Sequence, residues 1–248
     1  MATKIDALVS HLHRHPRAVT LAAIVAVGSP WVLDNYRRFL ALGTSGLTPL
    51  GPLGWLIALA LTGLGRETVS TAEYDKDAGQ GSWLERPVER RGTRPTLGWH
   101  CVPHRQLDRL PTDVVVKRLD AIFEKCAAAN PNLVQIVPSS PHEKLDPGMV
   151  IHPDVPSPHQ EADQALREIA HVHSTDHSLH VILSPTDCKT AIELGWAERH
   201  PLSGVSRIFP LPSSYLLVYA PRNEEELDVV ERIIRASMGY MTGSHSIA

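Results

Sequence analysis

The run Glu168–Leu183 constrains this chain more than any other stretch, because it alternates like two strands while carrying four histidines within ten residues. Side chains of a strand alternate between faces. With period two, Ala170 and Val172 point one way and Ile169, His171 and His173 the other. Downstream, Leu179, Val181 and Leu183 share one face, with His180 and Ile182 on the opposite one. Ser174-Thr175-Asp176-His177 between them is rich in turn formers. The pattern predicts a hairpin with these four residues as its loop. His173 then lies opposite Ser178 and His171 opposite His180, with directly paired β-carbons about 4.5–5.5 Å apart. Three imidazoles crowd one face.

The flanking segments supply the rest of a globular fold. Thr112 opens a helix whose apolar residues Val116, Leu119, Ile122, Phe123 and Cys126 recur at helical spacing, and Asn130-Pro131 stops it. Before it, Thr96–Leu107 is an extended candidate that Pro103 demotes to an edge or a bulge, and its His100 and His104 stand alone. Prolines at 138, 141, 147, 153, 156 and 158 predict a loop-rich wrapper over 134–160 with one or two brief strands, before helix resumes near Gln160. Ser184-Pro185-Thr186-Asp187 reads as an N-cap, a first-position proline and an early acid, starting a helix that ends by Gly195. Gly195–Leu202 reads as a loop. Tyr215–Ala220 is an apolar strand. Glu224 to about Tyr240 is a helix with three leading acids and Leu227, Val230, Ile233, Ile234 and Met238 turned inward. The predicted class is α+β, a small mixed or antiparallel sheet bearing the histidine hairpin and flanked by helices.

The N-terminal third differs in character. Ala18–Leu33 carries no charge and lies between Arg14, His15 and Arg17 on one side and Asp34, Arg37 and Arg38 on the other. It is slightly shorter than the roughly 17–25 residues of a spanning helix, with Trp31 and Tyr36 as interfacial aromatics. We read it as a membrane anchor. A buried core helix is one alternative. A cleaved signal peptide is another, opposed by the long charged stretch before the run and by Trp31 after Gly28-Ser29-Pro30. Basic residues flank both ends, so charge does not orient it. Leu53–Leu64 is too short to span; it lies at the interface, closes an apolar access channel, or packs as an ordinary helix. Residues 66–95 are polar. The expected division is an N-terminal anchor region over 1–66, with hydrophobic segments 18–33 and 53–64, and a catalytic domain over 67–248.

Net charge is −3 over 248 residues, with lysine and arginine spread along the chain, which argues against nucleic acid as a partner. Cys101, Cys126 and Cys188 are odd in number and far apart, so we read them as reduced thiols rather than a disulfide framework or a zinc site. No Asn-x-Ser/Thr acceptor occurs, which favours a cytosolic catalytic part. There is no GxGxxG, phosphate loop, GxSxG or HExxH, so nucleotide-dependent chemistry, serine hydrolysis and zinc proteolysis have no support.

The histidine face fits three roles. His171, His173 and His180 suit a facial metal site for iron, copper or zinc, or acid–base work without metal. The third role is structural, as a lone strand histidine is ordinarily a satisfied polar residue. Glu168 and Asp176 stand beside the cluster. Just past the next helix, Arg199 offers a planar fork for an anion and His200 a proton shuttle or hydrogen bond. Trp196 and Tyr219 could stack on a flat ligand or simply pack. Arg222 is expected to pair with the hairpin's carboxylates more readily than to touch substrate.

Glu168-Ile169-Ala170-His171-Val172-His173 with Ser178-Leu179-His180, Gly195-Trp196 with Arg199-His200-Pro201-Leu202, Tyr219-Ala220-Pro221-Arg222-Asn223-Glu224-Glu225-Glu226 and Gly239-Tyr240-Met241-Thr242 resemble the fungal luciferase family in order and spacing. Gly92-Thr93-Arg94-Pro95 and Tyr36-Arg37-Arg38-Phe39-Leu40 extend the likeness over most of the chain. The resemblance implies an N-terminally anchored enzyme, expected at the endoplasmic reticulum with its catalytic domain cytosolic. Such an enzyme adds molecular oxygen to an enolic styrylpyrone, 3-hydroxyhispidin, without an organic cofactor, and the resulting peroxide loses carbon dioxide. By this likeness His171, His173 and His180 are base or oxygen-site candidates, and Arg199 and His200 hold the anion. Glu168, Asp176, Trp196, Tyr219 and Arg222 complete the expected substrate surroundings for a small lipophilic or aromatic metabolite. The loop Ser174–His177 looks shorter than that of the luminous enzymes, and Val205–Pro212 departs from their pattern. We therefore expect a luciferase-like oxygenase of fungal secondary metabolism rather than a light emitter. A cofactor-free cyclase or isomerase, or a tethered binder of a lipophilic metabolite, would use the same residues.

Overall fold

The computed structural model describes residues 13–43, 45, 48–77, 81–205 and 211–248, so residues 206–210 of the divergent Val205–Pro212 stretch lie outside the described residues. The chain divides into two compact units, Met1–Ala41 and Leu42–Ala248. Residues 42–66, grouped by composition with the anchor region, thus belong to the second unit. In the first unit, helix α1 (Pro16–Ala41) is long and apolar enough to cross a membrane. That length and composition are shared by signal sequences. The helix continues through Pro30, and Leu21, Ile24, Val25, Val27 and Leu33 are exposed.

The second unit opens with α2 (Pro52–Thr62) and a short 3-10 turn at Tyr74–Asp77, then α3 (Asp113–Ala129). Strands β1 (Val134–Val137) and β2 (Gly148–Ile151) follow, then α4 (Gln160–Gln164), β3 (Glu168–Val172), β4 (Leu179–Ile182), α5 (Pro185–Glu193), β5 (Ala197–Arg199), β6 (Tyr215–Val218) and α6 (Glu224–Thr242). The strands form one antiparallel sheet in the order β1-β2-β3-β4-β6-β5. The class is α+β, as the mixture of helical and strand periodicities predicts.

The helix ends obey local chemistry. Ser184 caps α5, its hydroxyl accepting from the Asp187 N–H at 3.2 Å, with Pro185 at the first helical position. Asn223 caps α6 in the same way at 3.0 Å, three acids fill its first turn, and Gly243 closes it at φ 70°. This helix lays Leu227, Val230, Ile233, Ile234 and Met238 against the sheet. Each buried side chain of that size contributes about 1.5–3 kcal/mol. The extended candidate at 96–107 is largely irregular, with one bridge between Leu97 and Gln106. Ala197–Arg199, expected as loop, is instead a strand on β6; three residues carry too little alternation to be read.

The hairpin takes the predicted register. His171 pairs with His180, Ala170 with Val181 and Val172 with Leu179, and the His173 N–H donates to the Ser178 carbonyl at 3.0 Å. Ala170, Val172, Leu179 and Val181 face the core under α6, and the histidines take the other face. One irregularity matters for the site. A β-bulge between β2 and β3 pairs Met149 with Ala170 but Val150 with Glu168, leaving Ile169 as the extra residue. Strict alternation would send Glu168 away from His171. A bulge re-aims the side chains beyond it.

Candidate active site

The three hairpin histidines are buried and their rings close on one another. Centroids lie 5.1 Å apart for His171 and His173, 5.2 Å for His171 and His180, and 4.9 Å for His173 and His180. Each ring is held from behind through its Nδ1. His171 bonds the Glu168 carboxylate that the bulge delivers. Ser140 Oγ and the His142 N–H donate to the other oxygen of Glu168 at 2.7 and 2.9 Å. His173 Nδ1 lies 2.9 Å from Ser178 Oγ, which donates to Asp176 at 2.8 Å, and 3.3 Å from Asp176 Oδ1. His180 Nδ1 bonds the Leu216 carbonyl at 3.0 Å. Pinning Nδ1–H on an acceptor leaves Nε2 as the lone-pair nitrogen. The Nε2 atoms of His171 and His173 find no hydrogen-bond partner among the described residues.

Loops close this face from the other side. Gly148, opposite His171, has no room for a side chain, as a β-carbon there would sit 2.9 Å from Ser140 Cα. That close approach brings Ser140, His142 and Glu143 over the hairpin. Arg105 forms a buried ion pair with Glu143, and His104 packs 5.6 Å from His180 and 4.8 Å from His200. His200 lies 5.3 Å from His180. Its Nδ1 accepts from the Leu202 N–H at 3.0 Å. Above the histidines is a cavity of about 400 Å³. Ile57 and Leu61 of α2, with Val102, Leu202 and Leu211, give it apolar walls, and His104, His142, His180 and His200 reach its surface.

Burial sets the protonation of the site. It pushes His180 and His104 well below the ordinary imidazole range, with neighbouring imidazoles adding to the effect. His200 falls to about 3, and His173 to about 4 as burial and Arg105 outweigh Asp176. His171 goes the other way: burial opposes its charge, but Glu168 beside it overrides that and raises it. Glu168 in turn is held below its usual value against the pull of burial, chiefly by His171.

Residues 166–237, which contain the hairpin, match the Luciferase domain family. The chain is 33% identical over 234 residues to a luciferase from Armillaria mellea, covering 91% of this chain and 86% of that one. It is 33% identical over 254 residues to a luciferase from Armillaria ostoyae, covering 96% and 94%. With the Neonothopanus nambi luciferase the identity is 30% over 244 residues, covering 94% and 90%. The chain belongs to the fungal luciferase family. No solved structure matches it.

In this luciferase-like chain the structure gathers His171, His173, His180 and His200 with Glu168 and Asp176, but not the remaining expected residues. Arg199 lies on the opposite face of the sheet, paired with Leu216 in line with Val181 and Ala170. There its guanidinium donates to the carbonyls of Glu67 and Ser70 and to Tyr74 Oη, and forms an ion pair with the Glu73 carboxylate. Trp196 is buried, its indole donating to the Val88 carbonyl at 2.7 Å. Tyr219 spends its hydroxyl on Glu198 at 2.7 Å. Arg222 pairs with Glu226, not with the hairpin's carboxylates. None of the four lines the cavity. Conversely, His104, Arg105, Ser140, His142, Glu143 and Tyr215 belong to the site without having been singled out for it. The one signal available was His104 itself, a lone histidine beside Pro103.

Proposed function

We propose that this chain is a luciferase-like oxygenase that adds molecular oxygen to an enolic pyrone or polyketide-type substrate resembling 3-hydroxyhispidin. The observation that carries this reading is the pairing of an apolar cavity of about 400 Å³ with a floor of buried imidazoles. That volume lies within the range of small-molecule sites, and its walls suit a flat aromatic ligand. Oxygenation of an enol needs a proton acceptor, a seat for the electron-rich anion and exclusion of water from the peroxide. His104, kept neutral by burial and with an Nδ1 that has no partner among the described residues, takes the enol proton in this reading. His180 forms the oxygen side of the cavity wall, backed by the buried rings of His171 and His173, and His200 positions the ring. The enolate carbon supplies the electron pair that forms the new C–O bond, reducing oxygen to a peroxide that then expels carbon dioxide. Tyr215 stacks on His180 with centroids 4.6 Å apart and keeps that floor rigid. Helix α1 tethers the enzyme to a membrane, with the catalytic unit facing the cytosol at the endoplasmic reticulum.

The test is incubation of the purified full chain with 3-hydroxyhispidin and related enolic pyrones under ¹⁸O₂, with mass spectrometry of products and photon counting in parallel. Label in a decarboxylated product supports the oxygenase; photons would make it luminous as well. An unlabelled isomer of the substrate would replace this reading with a cyclase or isomerase. Saturable binding without turnover would leave a metabolite carrier.

A further inference from the structure

The unpartnered ring nitrogens call for an occupant. Two buried donor-acceptor rings, His171 and His173, turn Nε2 inward with no partner among the described residues, although an unsatisfied buried polar atom costs about 1–3 kcal/mol. His171, His173 and His180 present ring nitrogens that all lie within 4.8 Å of one another. We propose that these three nitrogens hold a first-row divalent transition-metal ion, with the remaining coordination positions open to the cavity that His180 lines.

Three features favour this set. The first is what stands behind the rings. A metal-ligating histidine almost always gives its other N–H to a carboxylate, carbonyl or hydroxyl, which fixes the tautomer. Here Glu168, the Ser178–Asp176 relay and the Leu216 carbonyl do this for His171, His173 and His180 respectively. The second is charge. Glu143, Asp146, Glu168 and Asp176 are all buried around the cluster, and Arg105 is the guanidinium buried with them. A dication offsets that excess of negative charge. The third is the failure of the competing set. His104, His180 and His200 also converge, but His200 uses its Nδ1 lone pair to accept from the Leu202 N–H, which puts the proton of the neutral ring on Nε2, and the His104 Nδ1 has no partner behind it among the described residues.

Three imidazoles with open positions are the donor set of catalytic rather than closed structural sites, and they suit zinc, iron, copper or nickel. Metal–nitrogen bonds of about 2.0–2.1 Å require the rings to draw together from their present spacing. In the proposed oxygenase the ion would seat the enolate oxygen, an assignment that rests on that function; the binding itself does not.

The experiment uses the full chain purified in detergent, stripped with chelator and titrated with Co²⁺ or Zn²⁺ alone. Elemental analysis and the cobalt ligand-field spectrum report occupancy, and circular dichroism reports folding. One ion per chain is expected, lost in His171→Ala and in His180→Ala, retained in His104→Ala and His200→Ala. Glu168→Gln should weaken binding about 10–100-fold, as changes behind a metal ligand do. No stoichiometric ion in the folded wild type overturns the proposal. So does loss of the ion in His200→Ala with retention in His171→Ala. Turnover by metal-free protein would remove the ion from the mechanism while leaving the oxygenase reading intact.

Discussion

Replacing Glu168 with alanine removes an acceptor on which three donors converge. Ser140 Oγ at 2.7 Å, the His142 N–H at 2.9 Å and His171 Nδ1 all meet this carboxylate, whose side chain is 1% exposed. Breaking a buried pair by deleting one partner costs about 3–5 kcal/mol. In a chain of this size each kcal/mol moves the thermal midpoint by about 2–4 °C, so a fall of about 10 °C is expected. Glu168→Gln keeps the volume and an oxygen for His142 and Ser140. It gives up the charge-assisted bond to His171, worth about 1.5–3 kcal/mol, and should fall by about half as much. Differential scanning calorimetry of the full chain in detergent with chelator present makes the measurement free of any ion-linked stabilisation. The double variant with His171→Ala adds a second check, because residues sharing a network couple by about 0.5–3 kcal/mol whereas independent sites add. A midpoint within about 2 °C of wild type for Glu168→Ala, or strict additivity with His171→Ala, would refute the bulge-delivered pair.

Leu61 lines the cavity from α2, so Leu61→Trp should fill it and raise KM at least about tenfold, equivalent to about 1.4 kcal/mol, with the thermal midpoint little changed; an unchanged KM would place the substrate elsewhere. Gly148→Ala sets a β-carbon 2.9 Å from Ser140 Cα, and the forced displacement should cost about 1–3 kcal/mol and lower turnover by loosening Glu168 and His171. Wild-type stability and activity together would show that the loop yields freely. Arg199→Ala should destabilise by about 3 kcal/mol through lost charge-assisted bonds to Glu67 and Tyr74, yet leave KM of the surviving folded enzyme unaltered. A raised KM would return Arg199 to the substrate. Burial works to raise Glu226, but Arg222 and Arg90 hold it below the usual carboxylate range. Its stabilisation is therefore complete above the unfolded value near about 4.3 and is lost as pH falls through the lower folded value. Glu226→Gln should flatten the acid limb of thermal midpoint against pH, and an unchanged limb would count against the pair.

What was legible in the sequence was what local rules dictate. Strand parity and a four-residue turn gave the pairing of His171 with His180, and Ser184-Pro185 and the acids after Asn223 gave two helix starts. The bulge at Ile169 left no such mark, because it depends on how β2 meets β3 rather than on either strand alone. The residues that close the site from above were also hidden. Ser140, His142 and Glu143 sit in a proline-rich loop with no periodicity, and their placement follows from a close approach at Gly148 that only the fold reveals.

Arg199 and His200 show how sequence proximity misleads where strand geometry would have warned. Adjacent residues on a strand point to opposite faces, so a pair straddling the end of β5 cannot readily serve one site. The ladder decides which belongs to which side. Arg199 falls in the row of Leu216, Val181 and Ala170, the core-facing row, and turns to Tyr74 and Glu73. His200, whose N–H donates to the Tyr215 carbonyl at 3.2 Å, falls on the histidine face and stands beside His180 and His104. The positive charge near the histidines comes instead from Arg105, brought by a loop far away in sequence and held by Glu143. A sheet can thus carry a structural guanidinium on one face and a cluster of buried imidazoles on the other with a single peptide bond between them. The parity of each residue, more than its chemical type, decides which of the two it joins.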